Sequence, residues 1–198
     1  MRKKMRKINN LRYILPVYLL LLLVMFILPF YSAEGYLISK NTTSHLGAQN
    51  TPNAWIMNIT FSLLGLACMV EAWFHLKKLW FQKILLSIFG LALIFIAIFQ
   101  HAPIVEGIPY SELEDNLHSV FALAVGFSFT VFAFSIGFFE KRKIEKIFAI
   151  SVGLIAPGLS LLIFYVADYS GLWQRMIFII TFAWLIFLFE GLRRLGEE

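Results

Sequence analysis

Ile84-Leu85-Leu86-Ser87-Ile88-Phe89-Gly90-Leu91-Ala92-Leu93-Ile94-Phe95 carries one hydroxyl and no charge. It does not alternate apolar with polar residues, so it is not a strand with one wet face. With its flanks from Trp80 to Ala102 it is long enough to cross a bilayer, for which a helix needs about 20 apolar residues. In lipid every backbone N–H and C=O must be satisfied within the segment, which selects a helix. Working outward, five further runs have the same character, giving spans near 11–31, 54–76, 80–102, 114–139, 144–166 and 172–193. The spacing predicts an all-α fold: a polytopic, six-transmembrane-helix bundle that forms one domain over 1–198.

Composition agrees. Of the 198 residues 60% are hydrophobic and 15% charged, whereas a soluble domain has about a quarter charged. Lipid must therefore solvate much of the chain. The basic residues are sorted by loop. Arg2, Lys3, Lys4, Arg6, Lys7 and Arg12, the second loop (Lys77, Lys78, Lys83), the fourth (Lys141, Arg142, Lys143, Lys146) and the C-terminus (Arg193, Arg194) hold all but Lys40 and Arg175 of the 17 Lys and Arg. Lys and Arg beside span ends are retained in the cytoplasm. Both termini are therefore expected there, in a multi-pass protein of the cell membrane. The net charge of +5 then reflects anionic headgroups of the inner leaflet and not nucleic acid; membrane lipids are the expected partners. The run Ile14 to Tyr31 before Ala33-Glu34-Gly35 exceeds a signal-peptide core of about 7–15 residues, so it reads as an uncleaved first span. Cys68 is the only cysteine, so no intrachain disulfide forms.

The first outer loop, about 32–53, contains Tyr36, Leu37, Ile38 and Leu46 and is expected to fold onto the bundle as a partial lid. Ser111-Glu112-Leu113-Glu114 reads as a capping box. Pro157-Gly158 should bend the fifth span. Ala122, Gly126 and Thr130 form a small-residue stripe suited to close helix contact. The short inner loops pair spans two and three, and spans four and five, antiparallel. Asn58 should bond a neighbouring helix or the first outer loop. Asn41-Thr42-Thr43 has the form of a glycosylation sequon.

Ionisable residues gather at the outer ends of the spans. His101 ends the third; His118 lies inside the fourth, on one helical face with Glu114 and Asp115. The residues assigned to acid/base chemistry are His118, Asp115 and Ser44. Those assigned to ligand binding are Arg175, Gln174, Glu114, His101, His45 and Asp168. Arg175 stands against the charge rule and should hold a carboxylate, Asp168 or Asp115, or an anionic headgroup. A structural reading stands beside these: acids in a first turn complement the helix dipole, and a span-end histidine can bond a carbonyl. At the inner boundary Glu71 with His75, and Glu190 with Arg194, read as structural pairs.

Two histidines and a carboxylate suit a divalent metal, and His101 with His118 a bis-histidine haem. No HxxxH or HExxH spacing supports the first, and only His75 is available for a second haem, so no metal and no cofactor are assigned. No GxSxG elbow supports a serine hydrolase.

Ser44-x-Leu46-Gly47-Ala48, followed by Pro52, Ala54, Asn58 and Gly65, resembles the opening signature of domain-of-unknown-function family nine-nine-eight of archaeal and bacterial membrane proteins. Leu117-His118-Ser119 with Ala122 resembles its central histidine segment, and Gly171-Leu172-x-Gln174-Arg175 with Trp184 its last-span segment. His101 lies outside these segments. The resemblance implies a six-helix bundle similar in layout to the Frag, DRAM and Sfk group, some of whose members are linked to lipid-anchor remodelling or lipid homeostasis. The leading functional reading is a lipid-related membrane protein with a polar headgroup-binding or catalytic pocket at the outer face. The alternatives are a non-catalytic scaffold or accessory subunit, and a metal- or haem-binding membrane protein.

Overall fold

The structure, a computed structural model, describes residues 12–195. Arg2, Lys3, Lys4, Arg6 and Lys7, and the side chain of Arg194 with its expected Glu190 pairing, lie outside the described residues. Seven helices follow in order: α1 Ile14–Ile27, the one-turn α2 Thr43–Leu46, α3 Ala54–His75, α4 Trp80–Ile98, α5 Glu112–Phe139, α6 Lys143–Tyr165 and α7 Ser170–Leu195. Short 3-10 turns follow α1 (Leu28–Tyr31) and α6 (Ala167–Tyr169). All but α2 belong to segments long and apolar enough to cross a membrane, and the start of α1 and the end of α7 lie on one side of the bundle, where Arg12 meets Glu190. That side is called the terminal face here, and the opposite one the far face.

The six spans form a ring in chain order, each packing on the next, and α1 closes it against α3 and α7. The expected pairs α3–α4 and α5–α6 are both present. Aromatic rings fill the middle. Phe89 of α4 meets Phe129 of α5 and Phe182 of α7, Phe61 meets Phe178, and Trp184 packs edge-on against Phe129 and Phe132. Tilted and edge-to-face pairs of this kind add about 0.5–1.5 kcal/mol each beyond their burial.

The close helix contact lies elsewhere than the small-residue stripe suggests. Ala122 and Gly126 are exposed, and a Cβ on Gly126 would meet nothing. The bundle instead uses Gly65 of α3 and Gly90 of α4. A Cβ on Gly65 would collide with the Gly90 carbonyl, and one on Gly90 with the Gly65 carbonyl. The stripe on α5 was visible because its members are four apart on one helix; the crossing pairs single glycines on two helices, which no spacing reveals.

On the terminal face Glu71, 1% exposed, anchors α1. Its Oε1 accepts the Tyr13 N–H at 2.8 Å and meets Arg193 at 2.5 Å, while Oε2 lies 2.9 Å from His75. A carboxylate at the start of α1 satisfies an orphan N–H and complements the dipole. Glu190 binds Arg193 and Arg12. Two short turns, 76–79 and 140–142, close this face.

The third span is shorter than expected, ending at Ile98. Pro103 disfavours a helical Ala102, and the freed groups are taken by the far-face loops: Gln49 binds the Gln100 carbonyl and Asp115 the Ala102 N–H. The helix α6 runs through Pro157 without interruption.

Candidate functional site

The far face is organised by the segment between α1 and α3. As expected of a lid, Leu46 is fully buried and Tyr36 packs on the core; Leu37 instead points outward. Asn50 and Asn53 take left-handed backbone conformations (φ 54° and 59°), which asparagine tolerates better than most residues. Their amides also tie the lid down, to the Pro109 and Tyr31 carbonyls at 2.8 Å. Asn58 of α3 donates to the Gly47 carbonyl at 3.1 Å, the loop contact anticipated from sequence. The amide oxygen of Asn41 accepts the Leu37 N–H at 2.8 Å.

The N-terminus of α7 clamps this lid. Gly171 lies against the carbonyls of Ile38, Ser39 and Asn41, leaving no room for a Cβ. Ser170 donates to the Lys40 carbonyl and the Leu172 N–H to that of Ser39. Gln174 Oε1 accepts from the Thr43 N–H (2.7 Å) and hydroxyl (2.5 Å), and its Nε2 stands 3.5 Å from Ser44 Oγ. Arg175, 2% exposed, donates to the carbonyls of Met25, Ile38, Asn41 and Gly171 at 2.9–3.2 Å and to the Tyr36 hydroxyl at 2.8 Å.

This corrects the expectation for Arg175. Among the described residues no carboxylate pairs with it; the partial charges of four carbonyls take that place, since the guanidinium's five donors match several acceptors at once. Asp168 is exposed in the turn Ala167–Tyr169, and Asp115 is committed elsewhere. Burial pushes the Tyr36 phenol above its ordinary pKa, against the pull of the Arg175 charge, which keeps the proton that the hydroxyl donates towards the Asn41 and Thr42 carbonyls.

A second group stands beside the clamp. The rings of His45 and His101 stack 4.7 Å apart, and those of His101 and His118 5.1 Å apart with planes 9° from parallel. Lid, α4 end and α5 thus each supply one imidazole to a single column. Each ring is oriented through Nδ1. His45 Nδ1 accepts the Thr42 N–H at 3.1 Å and lies 2.9 Å from the Thr42 hydroxyl, in a capping box that opens α2. His101 Nδ1 pairs with Asp115, whose same oxygen takes the Ala102 N–H. His118, 5% exposed, places Nδ1 3.1 Å from the Ile96 carbonyl and 2.9 Å from that of Phe99, satisfying carbonyls that α4 leaves orphaned. The neighbours fix the tautomers: Nδ1–H on His118, Nε2–H on His45. Burial, with His101 and His118 close by, lowers the His45 pKa from 6.5 to about 4; the Asp115 charge opposes this. Among the described residues no hydrogen bond engages Nε2 of any of the three rings.

Asp115 therefore serves His101 and not His118, the neighbour on its own helix. Ser44 is buried in the lid beside Gln174, one residue before His45. Glu114 contributes its backbone to the Ser111 cap at 3.4 Å, but the Ser111 N–H goes to Gln49 Oε1 at 2.7 Å, so the capping box is completed from the lid. Of the nine residues assigned from sequence, His45, His101, His118 and Asp115 meet in the column, and Ser44, Gln174 and Arg175 in the clamp. Asp168 and Glu114 join neither. Gln49, with Thr42 and Tyr36 as partners of the two groups, was missed; the only trace of Gln49 in the sequence is an amide within the matched lid segment.

Stacked rings face one another with their π surfaces, so their nitrogens do not converge on one point as a haem iron or metal would require. Among the described residues no three His, Cys, Asp or Glu are placed to hold a metal ion. On the terminal face a small cleft between Ile136, Glu140, Glu145 and Trp184 holds about 10 Å³.

No curated protein and no solved structure matches the chain. A family model described as "Protein of unknown function (DUF998)" matches residues 16–189. That match runs from α1 into α7 and takes in the lid, the clamp and the column, so the chain is a member of the DUF998 family, with six membrane-spanning helices.

Proposed function

We propose that the protein sits in the cell membrane with both termini in the cytoplasm and engages the polar end of a lipid at the outer face. The sorting of Lys and Arg towards the terminal face supports the orientation. The observation that carries the functional reading is the column: three imidazoles fixed through Nδ1, each with Nε2 free of protein partners. An imidazole held by a carboxylate at one nitrogen is oriented to accept a proton at the other. Asp115–His101 is therefore the acid/base pair, acting on a hydroxyl or ammonium of the headgroup. His45, carrying Nε2–H, donates towards a phosphate or carbonyl oxygen. Arg175, Gln174 and Ser44 position the lid that carries His45 and do not touch the ligand.

A specific observation favours a second reading, a non-catalytic scaffold: every hydrogen bond of Arg175 ends on the protein's own lid or helices. The two readings separate in one experiment. The purified full chain is placed in vesicles of phosphatidylethanolamine and phosphatidylglycerol, and retained and chemically altered lipid is measured by mass spectrometry. His101→Gln and Asp115→Asn lower retention or turnover roughly tenfold, the scale of one charge-assisted hydrogen bond. Unchanged lipid profiles in both variants would leave the scaffold reading.

A further inference from the structure

The first turn of α4 holds a cation that no anion among the described residues meets. Lys83 is 5% exposed, yet among the described residues no hydrogen bond or carboxylate reaches its ammonium. Its Nζ lies 4.3 Å from the centre of the Trp80 ring and 4.8 Å from that of Trp73. Both indoles are more than half exposed, at 61% and 56%. They stand at the terminal-face ends of two apolar helices, Trp73 in the last turn of α3 and Trp80 at the start of α4, the place where spans enrich tryptophan. Two aromatic faces attract a cation but offer its three N–H donors no oxygen acceptor.

Lys83 also occupies an unfavourable place. It follows Trp80, Phe81 and Gln82 in the first turn of α4, where a cation faces the positive end of the helix dipole. Among the described residues no side chain caps this helix, and its first turn holds no acidic residue. Helical side chains lean towards the N-terminus, and the position of Nζ over Trp80 puts the ammonium at the same end as the uncapped N–H groups. Lys77 and Lys78 are exposed in the turn just before it. One anion would resolve all of these: it would accept from the ammonium, complement the helix end and be attracted by the two flanking lysines.

We propose that this turn binds the phosphate of an anionic phospholipid in the leaflet at the terminal face, with Lys83 as the central donor and Trp73 and Trp80 flanking the headgroup. The site is on the face opposite the histidine column and is independent of it.

The test uses native mass spectrometry of the full chain exposed to equal amounts of phosphatidylglycerol and phosphatidylcholine, with inorganic phosphate added in a parallel arm. The wild-type chain retains phosphatidylglycerol over phosphatidylcholine by roughly tenfold, because both offer a phosphate but the choline cation is repelled by Lys77, Lys78 and Lys83. Lys83→Met abolishes the preference, and Lys83→Arg keeps a large part of it. The double variant Lys77→Gln/Lys78→Gln weakens it less than Lys83→Met does. Should Lys83→Met fail to fold, Trp73→Leu/Trp80→Leu leaves the ammonium in place and still lowers the preference. A wild-type preference in a folded Lys83→Met chain, or in the tryptophan variant, would overturn the proposal. So would loss of all bound lipid to inorganic phosphate, which would assign the site to a free anion.

Discussion

Asp115 holds the imidazole of His101 at the end of α4, although His118 is its neighbour on α5. The pairing fastens two spans and leaves His101 Nε2 without a hydrogen bond among the described residues, in a stack with His45 and His118. Both side chains are about a quarter exposed, so solvent screens the pair. Asp115→Ala should cost only about 1 kcal/mol of stability while removing the orientation of the ring. Thermal unfolding should therefore change little, and the solid-state NMR signature of a fixed His101 ring should be lost. A large loss of stability with the ring still ordered would contradict this assignment.

Arg175 is the centre of the clamp. Arg175→Met leaves several buried carbonyls without a donor and should destabilise the lid by roughly 2–4 kcal/mol. Arg175→Lys should rescue it poorly, because one ammonium cannot address acceptors spread around a planar guanidinium. Hydrogen exchange in the segment 36–46 should accelerate in both variants, while that of α4 should not.

His45 makes lid docking sensitive to pH. Its folded pKa of about 4 lies below the ordinary 6.5, so the undocked lid takes up the proton more readily. Docking stability is then fully present above about pH 6.5 and is lost as pH falls towards 4, by about 3 kcal/mol at most. Exchange of the Thr42 and His45 amides measured across that range should rise on acidification. His45→Gln should flatten the dependence.

Gly65→Ala or Gly90→Ala drives a methyl into the opposing carbonyl at the α3–α4 crossing. Each should lower stability by about 1–3 kcal/mol. Gly126→Ala, on an open face of α5, should leave it unchanged. Thermal unfolding of the three variants in one detergent would check the contrast.

The sequence made the spans legible because hydrophobic length and the sorting of Lys and Arg are additive along the chain. All six spans appear, with ends displaced by a few residues where tertiary bonds compete, as at Ile98 and Ser170. The lid was legible from Tyr36 and Leu46, apolar residues out of place in a loop. Partner choice was not. Helical spacing joins Asp115 to His118, but the end of α4 brings His101 closer, and nothing in the chain between residues 101 and 115 encodes that approach. Arg175 stood out as the basic residue on the wrong face, yet its partners are backbone carbonyls, which every sequence contains and none announces. The Gly65–Gly90 contact is hidden for the same reason: it is a meeting of two backbones.

The most direct test of the outer-face reading is whether the column touches a headgroup. The chain holds four histidines, His45, His75, His101 and His118, so histidine-selective ¹⁵N labelling gives a sparse spectrum. Dipolar dephasing between ¹⁵N and lipid ³¹P, measured on the full chain with Lys83→Met in phosphatidylethanolamine and phosphatidylglycerol bilayers, reports direct proximity. The account predicts dephasing of the Nε2 signals of His45 and His101, lost in His101→Gln. Absence of dephasing at every imidazole would contradict it and leave the column as an internal lock between lid, α4 and α5.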